Sequence, residues 1–329
     1  MPTGTPAFKL PSVTSKHDGS PRHVGFELEF SGLTLAETGS ALQRALGGRL
    51  ESKSAAEQVL QVDGLGDFGI ELDWSFLKRR AEAAEREGGD SAWLETLSQA
   101  AALVVPLEVV CPPIPMTDLD PLNDCVTALR DAGAVGTEES LLAAYGVHIN
   151  TEIPRLDAAT LGSYLRAYAI LQWWLVDAHD VDLTRRISPY IDLYSDAYLR
   201  LLLSNAAPTM EDIIEDYLAH NASRNRALDL LPLLAEVDEA RIRSAVDDPR
   251  IKARPTFHYR MPNCHIERPG WSLAFSWNTW CVVEELAQRP DGLEELGAAF
   301  LDAERPLLGV NRHQWVEFIG QWIKDRKLV

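Results

Sequence analysis

Hydrophobic and polar residues alternate along several stretches of the chain, and each such stretch predicts a half-buried strand. From His23 to Phe30, Val24, Phe26, Leu28 and Phe30 fall on one side and Gly25, Glu27 and Glu29 on the other. Phe68 to Asp73 sets Ile70 and Leu72 against Glu71 and Asp73. Leu103 to Val110 is nearly all apolar, interrupted by Glu108 and ended by Cys111-Pro112-Pro113. Tyr145 to Ile153 places His148 and Asn150 opposite Val147 and Ile149. Pro255 to Met261 places Thr256, His258 and Arg260 opposite Phe257 and Tyr259.

Helical periodicity fills the intervals. Leu33 to Leu46 reads as a helix stopped by Gly47-Gly48, and an Ala/Glu/Arg-rich helical stretch runs from Phe76 to about Ala102. Leu119, Leu122, Val126 and Leu129 mark an amphipathic helix ended by Gly133. The chain reads as helices from Asp157 to about Leu203, from Met210 to Val246, and in three segments from Trp271 to Lys324. The pattern shows neither an internal repeat nor an interdomain linker. Strands scattered among single helices predict an α+β fold with an antiparallel sheet. Pro2, Pro6, Pro11 and Pro21 among small polar residues predict a flexible tail over 1–21. Residues 22–329 read as one domain with helical insertions and C-terminal helices.

Composition narrows the partners. The 329 residues are 46% hydrophobic and carry 31 Lys+Arg against 49 Asp+Glu, a net charge of −18. Such a chain buries a core, which excludes global disorder. Its negative excess argues against nucleic acid or an anionic membrane as partner. Between Asn221 and Arg268 the balance reverses, with nine Lys/Arg against seven Asp/Glu, so an anion is tolerated there. Leu161 to Val176, broken by Arg166 and Gln172, predicts a core helix and not a membrane span. Cys111, Cys125, Cys264 and Cys281 show no paired spacing and read as reduced thiols, which points to the cytoplasm. A homo-oligomer is left open.

The unusual feature is the polar face of the strands. Taken singly, each polar residue is an ordinary outward-facing side chain. Taken together, Glu27, Glu29, Asp73, Glu108, His148, His258 and Arg260 recur between apolar neighbours. Glu27 and Glu29 point the same way about 6.6–6.8 Å apart along the strand. On a partly buried face such carboxylates repel unless protonated or bridged by a cation, for which magnesium or manganese has the right hardness. Gly64 to Gly69 matches GxGxxG but precedes a strand, which argues against dinucleotide binding. Cys264-His265 lacks the spacing of a zinc site, and the tryptophans lie at helical intervals that read as core.

The segments Val24 to Phe30, Leu107 to Pro113, Tyr145 to Asn150 and Arg254 to Cys264 together resemble the amidoligase family. That family is grouped with glutamine synthetase and glutamate–cysteine ligase among the carboxylate–amine ligases. The resemblance covers roughly Arg22 to Ala287 in the expected order. It implies a curved antiparallel sheet whose concave face is the active site, backed by helices. It implies metal binding by Glu27, Glu29, Glu108 and His148, and a catalytic role for Arg260, for His258 and for Asp73, the last as part of an Asp-x-Ser signature. His258 stands where the superfamily often has a metal-binding glutamate, and Asn150 where many members have a second histidine. The implied reaction is ATP-dependent amide formation with Mg2+ (or Mn2+), through an acyl phosphate, from small-molecule or peptide carboxylate and amine substrates. His148 and Asn150 would join the nucleotide site, with Arg224 and Arg254 as contacts for phosphate or substrate carboxylate. A non-catalytic nucleotide- or peptide-binding relative and a metal-dependent hydrolase using the same face are the alternatives. Dependence on ATP and on an amine separates them.

Overall fold

The computed structural model describes residues 6–72, 106–138, 145–182, 185, 191–305 and 309–328. The alternation at the start of the chain becomes β1 (His23–Phe30), the central strand, whose Phe26, Leu28 and Phe30 are fully buried. β1 is flanked by β5 (Leu107–Val110) and β7 (Val147–Glu152), both antiparallel to it. Beyond β5 lie β4 (Gly66–Leu72), β3 (Glu57–Val62) and β2 (Arg49–Ser54); beyond β7 lie β9 (Thr256–Tyr259) and β8 (Leu228–Asp229). A two-residue strand, β6 (Ile114–Pro115), pairs with β1 off this path.

This mixed α/β fold with an antiparallel sheet differs from the expected curved sheet with a concave active-site face. The sheet is an open path, β2-β3-β4-β5-β1-β7-β9-β8, neither curled nor closed. Closure requires the edge strands to pair, and these edges are unsuited to it. β2 is mostly exposed along its length, and β8 is two residues long before the chain turns into a helix. The hairpin β2–β3 was not foreseen, because Arg49 to Val62 carries polar residues on both faces and gives little alternation.

Helices cover the apolar face. α1 (Leu35–Leu46) starts at Thr34, whose side chain and that of Glu37 form a reciprocal capping box, and it packs on β3. α2 (Pro121–Ala132) ends at Gly133, where φ is +104°, a left-handed conformation that favours glycine. α3 (Ala158–Ala178) and α8 (Leu273–Ala287) lie under the middle of the sheet. Tyr164 of α3 stacks on Phe257 at 4.8 Å, and Trp277 and Trp280 of α8 meet Phe26 and Tyr259 at 6.3 and 4.9 Å. α4 (Asp196–Ser204), α5 (Met210–Asn221), α6 (Leu231–Val237) and α7 (Glu239–Ala245) lead to β9, and α9 (Pro290–Ala303) and α10 (Arg312–Asp325) close the chain.

Residues preceding β1, expected as a tail, bond to α8: Lys9 N–H donates to Asn278, and Trp277 Nε1 donates to the Lys9 carbonyl. Arg22 is fully buried and forks onto Glu284 at 2.9 and 3.0 Å. The four cysteines are buried and free. Gly64 and Gly66 form the β3–β4 turn with positive φ, and a strand follows, as read from the sequence. Among the described residues, no helix is long and apolar enough to cross a membrane.

Candidate active site

Residues directly opposed in an antiparallel pair share a face and sit about 4.5–5.5 Å apart. The register therefore assembles the polar face in rows. One row runs Glu57, Glu71, Glu108, Glu29 across β3, β4, β5 and β1. The next sets Val110, Glu27 and His148 side by side on β5, β1 and β7. A third runs Gly25, Asn150, His258, Asp229 across β1, β7, β9 and β8.

Glu27 lies at the centre, its side chain 18% exposed. Its carboxylate takes the Asn150 Nδ2 donor at 2.8 Å and lies 2.7 Å from His148 Nδ1. Burial alone would raise its pKa. The hydrogen bond and charge of His148, the charge of His258 and the Asn150 bond outweigh burial and hold the carboxyl well below its ordinary range. Arg254 Nη2 donates to Asn150 Oδ1 at 2.9 Å, which turns the amide so that its NH2 faces Glu27.

His258 is buried, with Nδ1 3.3 Å from Asp229 Oδ2 and Nε2 3.5 Å from His148 Nδ1. Burial pushes its imidazole down to about 4, against the opposing pull of Asp229 and Glu27. Asp229 is itself fully buried, capped by the Leu231 N–H at 3.0 Å and faced by Arg224 Nε at 4.0 Å.

On the other side of His148, Nε2 lies 3.6 Å from Glu29, whose second oxygen accepts the Gly146 N–H at 2.8 Å. A Cβ at 146 would lie 2.6 Å from Arg185 Nη2 and 3.3 Å from Glu29 Oε2, so any larger residue there would displace the Arg185 guanidinium. Arg185 is buried, and its guanidinium donates to the carbonyls of Arg260, Met261 and Pro262. Burial lowers its pKa to about 10, partly offset by Glu29. Arg260 is half-buried on the same face as His258 and donates from Nη1 to the Arg224 carbonyl at 2.7 Å. Glu71 is held above its ordinary pKa by burial and by Glu57.

Two donor sets fit a divalent ion. Glu29, Glu108 and His148 offer ligand atoms all within 4.8 Å of one another, as do Glu27, His148 and His258. The first opposes two carboxylates directly across β1 and β5, an arrangement a cation relieves. A third group, Glu138, His265 and Glu267, is less suited, because Arg268 already holds Glu138 through both oxygens. Cys264 belongs to none of these groups. A cavity of about 650 Å³ between α3 and α10, bounded by Trp173, Ile191, Met261 and Val316, contains none of the carboxylates, imidazoles or arginines of this face.

The structure thus brings Glu27, Glu29, Glu108, His148, Asn150, His258, Arg254 and Arg260 to one face, with Arg224 at its rim. Arg224 lies in the loop after α5, half-buried between Asp229 and Asp248. Asp73 lies outside the described residues. Sequence reasoning missed three neighbours. Asp229 interrupts the apolar run Ala227 to Leu231, the same signal that marked Glu108. Glu71 was visible on the polar side of its strand but was passed over for Asp73. Arg185 carries no periodic signal at all.

Residues 20–282 match the model of the family described as "Putative amidoligase enzyme". No curated protein and no solved structure matches the chain, and the family match carries no link to glutamine synthetase or glutamate–cysteine ligase.

Proposed function

The chain belongs to this amidoligase family, and on that premise we propose that it is an ATP-dependent carboxylate–amine ligase. The observation that carries this reading is the joining of carboxylates, imidazoles and arginines on one sheet face, with two donor sets suited to a divalent ion. In the proposed reaction a substrate carboxylate oxygen attacks the γ-phosphorus of ATP and ADP leaves. The amine nitrogen of the second substrate then attacks the acyl carbon, phosphate departs, and the nitrogen loses a proton to give the amide. Phosphoryl transfer of this kind asks the protein mainly for charge neutralisation and alignment.

Glu29, Glu108 and His148 would hold Mg2+ or Mn2+, which when bound neutralises phosphate charge. Arg260 projects from the same face and would neutralise the transferring phosphoryl group, its backbone pinned by Arg185. Arg254, which bonds to Asn150, and Arg224 would meet phosphate or substrate carboxylate. Glu27 is held ionised by His148 and Asn150, which suits it to a cation and not to proton transfer near neutral pH. The substrates of this reading are small-molecule or peptide carboxylates and amines. A second reading, a metal-dependent hydrolase, is favoured by one observation: His258 adds a second imidazole beside Glu27.

Phosphate release from ATP decides between them, measured in Mg2+ with a panel of amino acids, peptides and amines. Release that needs ATP, an acid and an amine, and that is lost in Glu29→Ala and Arg260→Ala, supports the ligase. Amide hydrolysis without ATP, or full ligation in both variants, contradicts it.

A further inference from the structure

His148 stands between the two donor sets and serves them through different nitrogens. Nδ1 faces Glu27 and His258, whereas Nε2 faces Glu29. A neutral imidazole has one lone pair, so it ligates on one side and donates its N–H on the other. With Nδ1 as ligand, the Nε2–H points to Glu29, so an ion held through Nδ1 leaves Glu29 and Glu108 as the protein ligands of the oxygen-rich set. The sets also differ in kind: Glu29 and Glu108 with His148 are rich in oxygen, whereas Glu27 with His148 and His258 is rich in nitrogen.

The nitrogen-rich set has a further element. Asp229, buried and anchored by the Leu231 N–H, takes the His258 Nδ1–H, which leaves the Nε2 lone pair aimed at Glu27 and His148. A carboxylate behind a ligating histidine fixes its tautomer and strengthens it as a donor. Two imidazoles and one carboxylate favour ions such as zinc or cobalt over magnesium.

We propose that Glu27, His148 Nδ1 and His258 Nε2 form a site for a transition-metal dication of the zinc type, with Asp229 as the residue that positions His258. The proposal rests on reading this face as a metal site, but not on ATP or on ligation. The ion takes the place of the hydrogen bond between His148 Nδ1 and Glu27.

The test is titration of the full chain, stripped by chelator, with Co2+ in the absence of nucleotide. Visible d–d absorption should rise to one equivalent, be displaced by Zn2+, and persist in excess Mg2+. Asp229→Asn should weaken Co2+ by about 10–100-fold. His258→Gln should weaken it at least as much, while Glu108→Gln should change it by less than about tenfold. Circular dichroism checks that each variant is folded, and the wild-type spectrum stands without any variant. No visible absorption in the wild type, equal competition by Mg2+, or unchanged affinity in a folded His258→Gln protein overturns the proposal. Because no nucleotide is present, such a result leaves the ligase reading to the phosphate-release assay in Mg2+.

Discussion

The two faces of β1 differ by a single residue step and by everything they do. Phe26, Leu28 and Phe30 are fully buried against helices, and Phe26 meets Trp277 edge-on. Glu27 and Glu29, between them, face His148, Asn150 and Gly146. One set of alternate positions holds the sheet on its helices. The other gathers carboxylates, imidazoles and an amide that hold one another by hydrogen bonds. Stability and chemistry are therefore separable by parity along one strand, and that separation can be attacked from either side.

The largest effect is expected on the apolar face. Phe26→Ala should cost about 3–5 kcal/mol in urea unfolding, since it removes a ring from a packed core. Unfolding measurements should show this loss with the polar-face residues unaltered. On the polar face, Arg260→Ala should lower ligation by about 10²–10³-fold, the usual loss for one electrostatic stabiliser, with an unfolding midpoint near that of the wild type. A collapse of stability in Arg260→Ala with activity per folded molecule retained would erase the distinction between the faces.

Acid should act next, through His258. Its folded pKa of about 4 lies below its ordinary 6.5, so the unfolded chain binds the extra proton between those values. The stability it contributes is fully present above about pH 6.5 and falls as pH drops toward 4, by at most about 1.4 kcal/mol per pH unit. Glu27 acts in the same direction at more acid pH, because its pKa is also depressed. In metal-free protein, urea midpoints at pH 7 and pH 5 should differ more for the wild type than for His258→Gln. Equal differences would show that His258 is not the group responsible. The smallest effect is expected for Glu71→Gln, which removes a carboxylate opposed to Glu57 and Glu108 and already held above its ordinary pKa by burial. In chelator it should gain about 0.2–1 kcal/mol, and excess Mg2+ should remove that advantage.

Much of this contrast was legible in the sequence because strand periodicity is strict. A period of two assigns Glu27, Glu29, His148, His258 and Arg260 to one face before any coordinate is known, and the register then places them in adjacent rows. The open edges were not legible. Whether a sheet curls depends on the length and exposure of its edge strands, and neither the short β8 nor the polar hairpin β2–β3 leaves a pattern. Asp229 and Arg185 were hidden for a related reason. Each acts through tertiary contacts, to His258 in one case and to three carbonyls after β9 in the other. Local spacing carries no record of those contacts.

The central claim, that this face activates a carboxylate with ATP, is tested most directly by isotope transfer. Acids labelled with ¹⁸O in the carboxylate are incubated with the full chain, ATP, Mg2+ and the amine panel, and the released phosphate is examined by mass spectrometry. The account predicts one ¹⁸O in each phosphate formed with a substrate acid, and about 10²–10³-fold less labelled phosphate with Arg260→Ala. Phosphate released without label, or amide cleavage that proceeds in the absence of ATP, would contradict it.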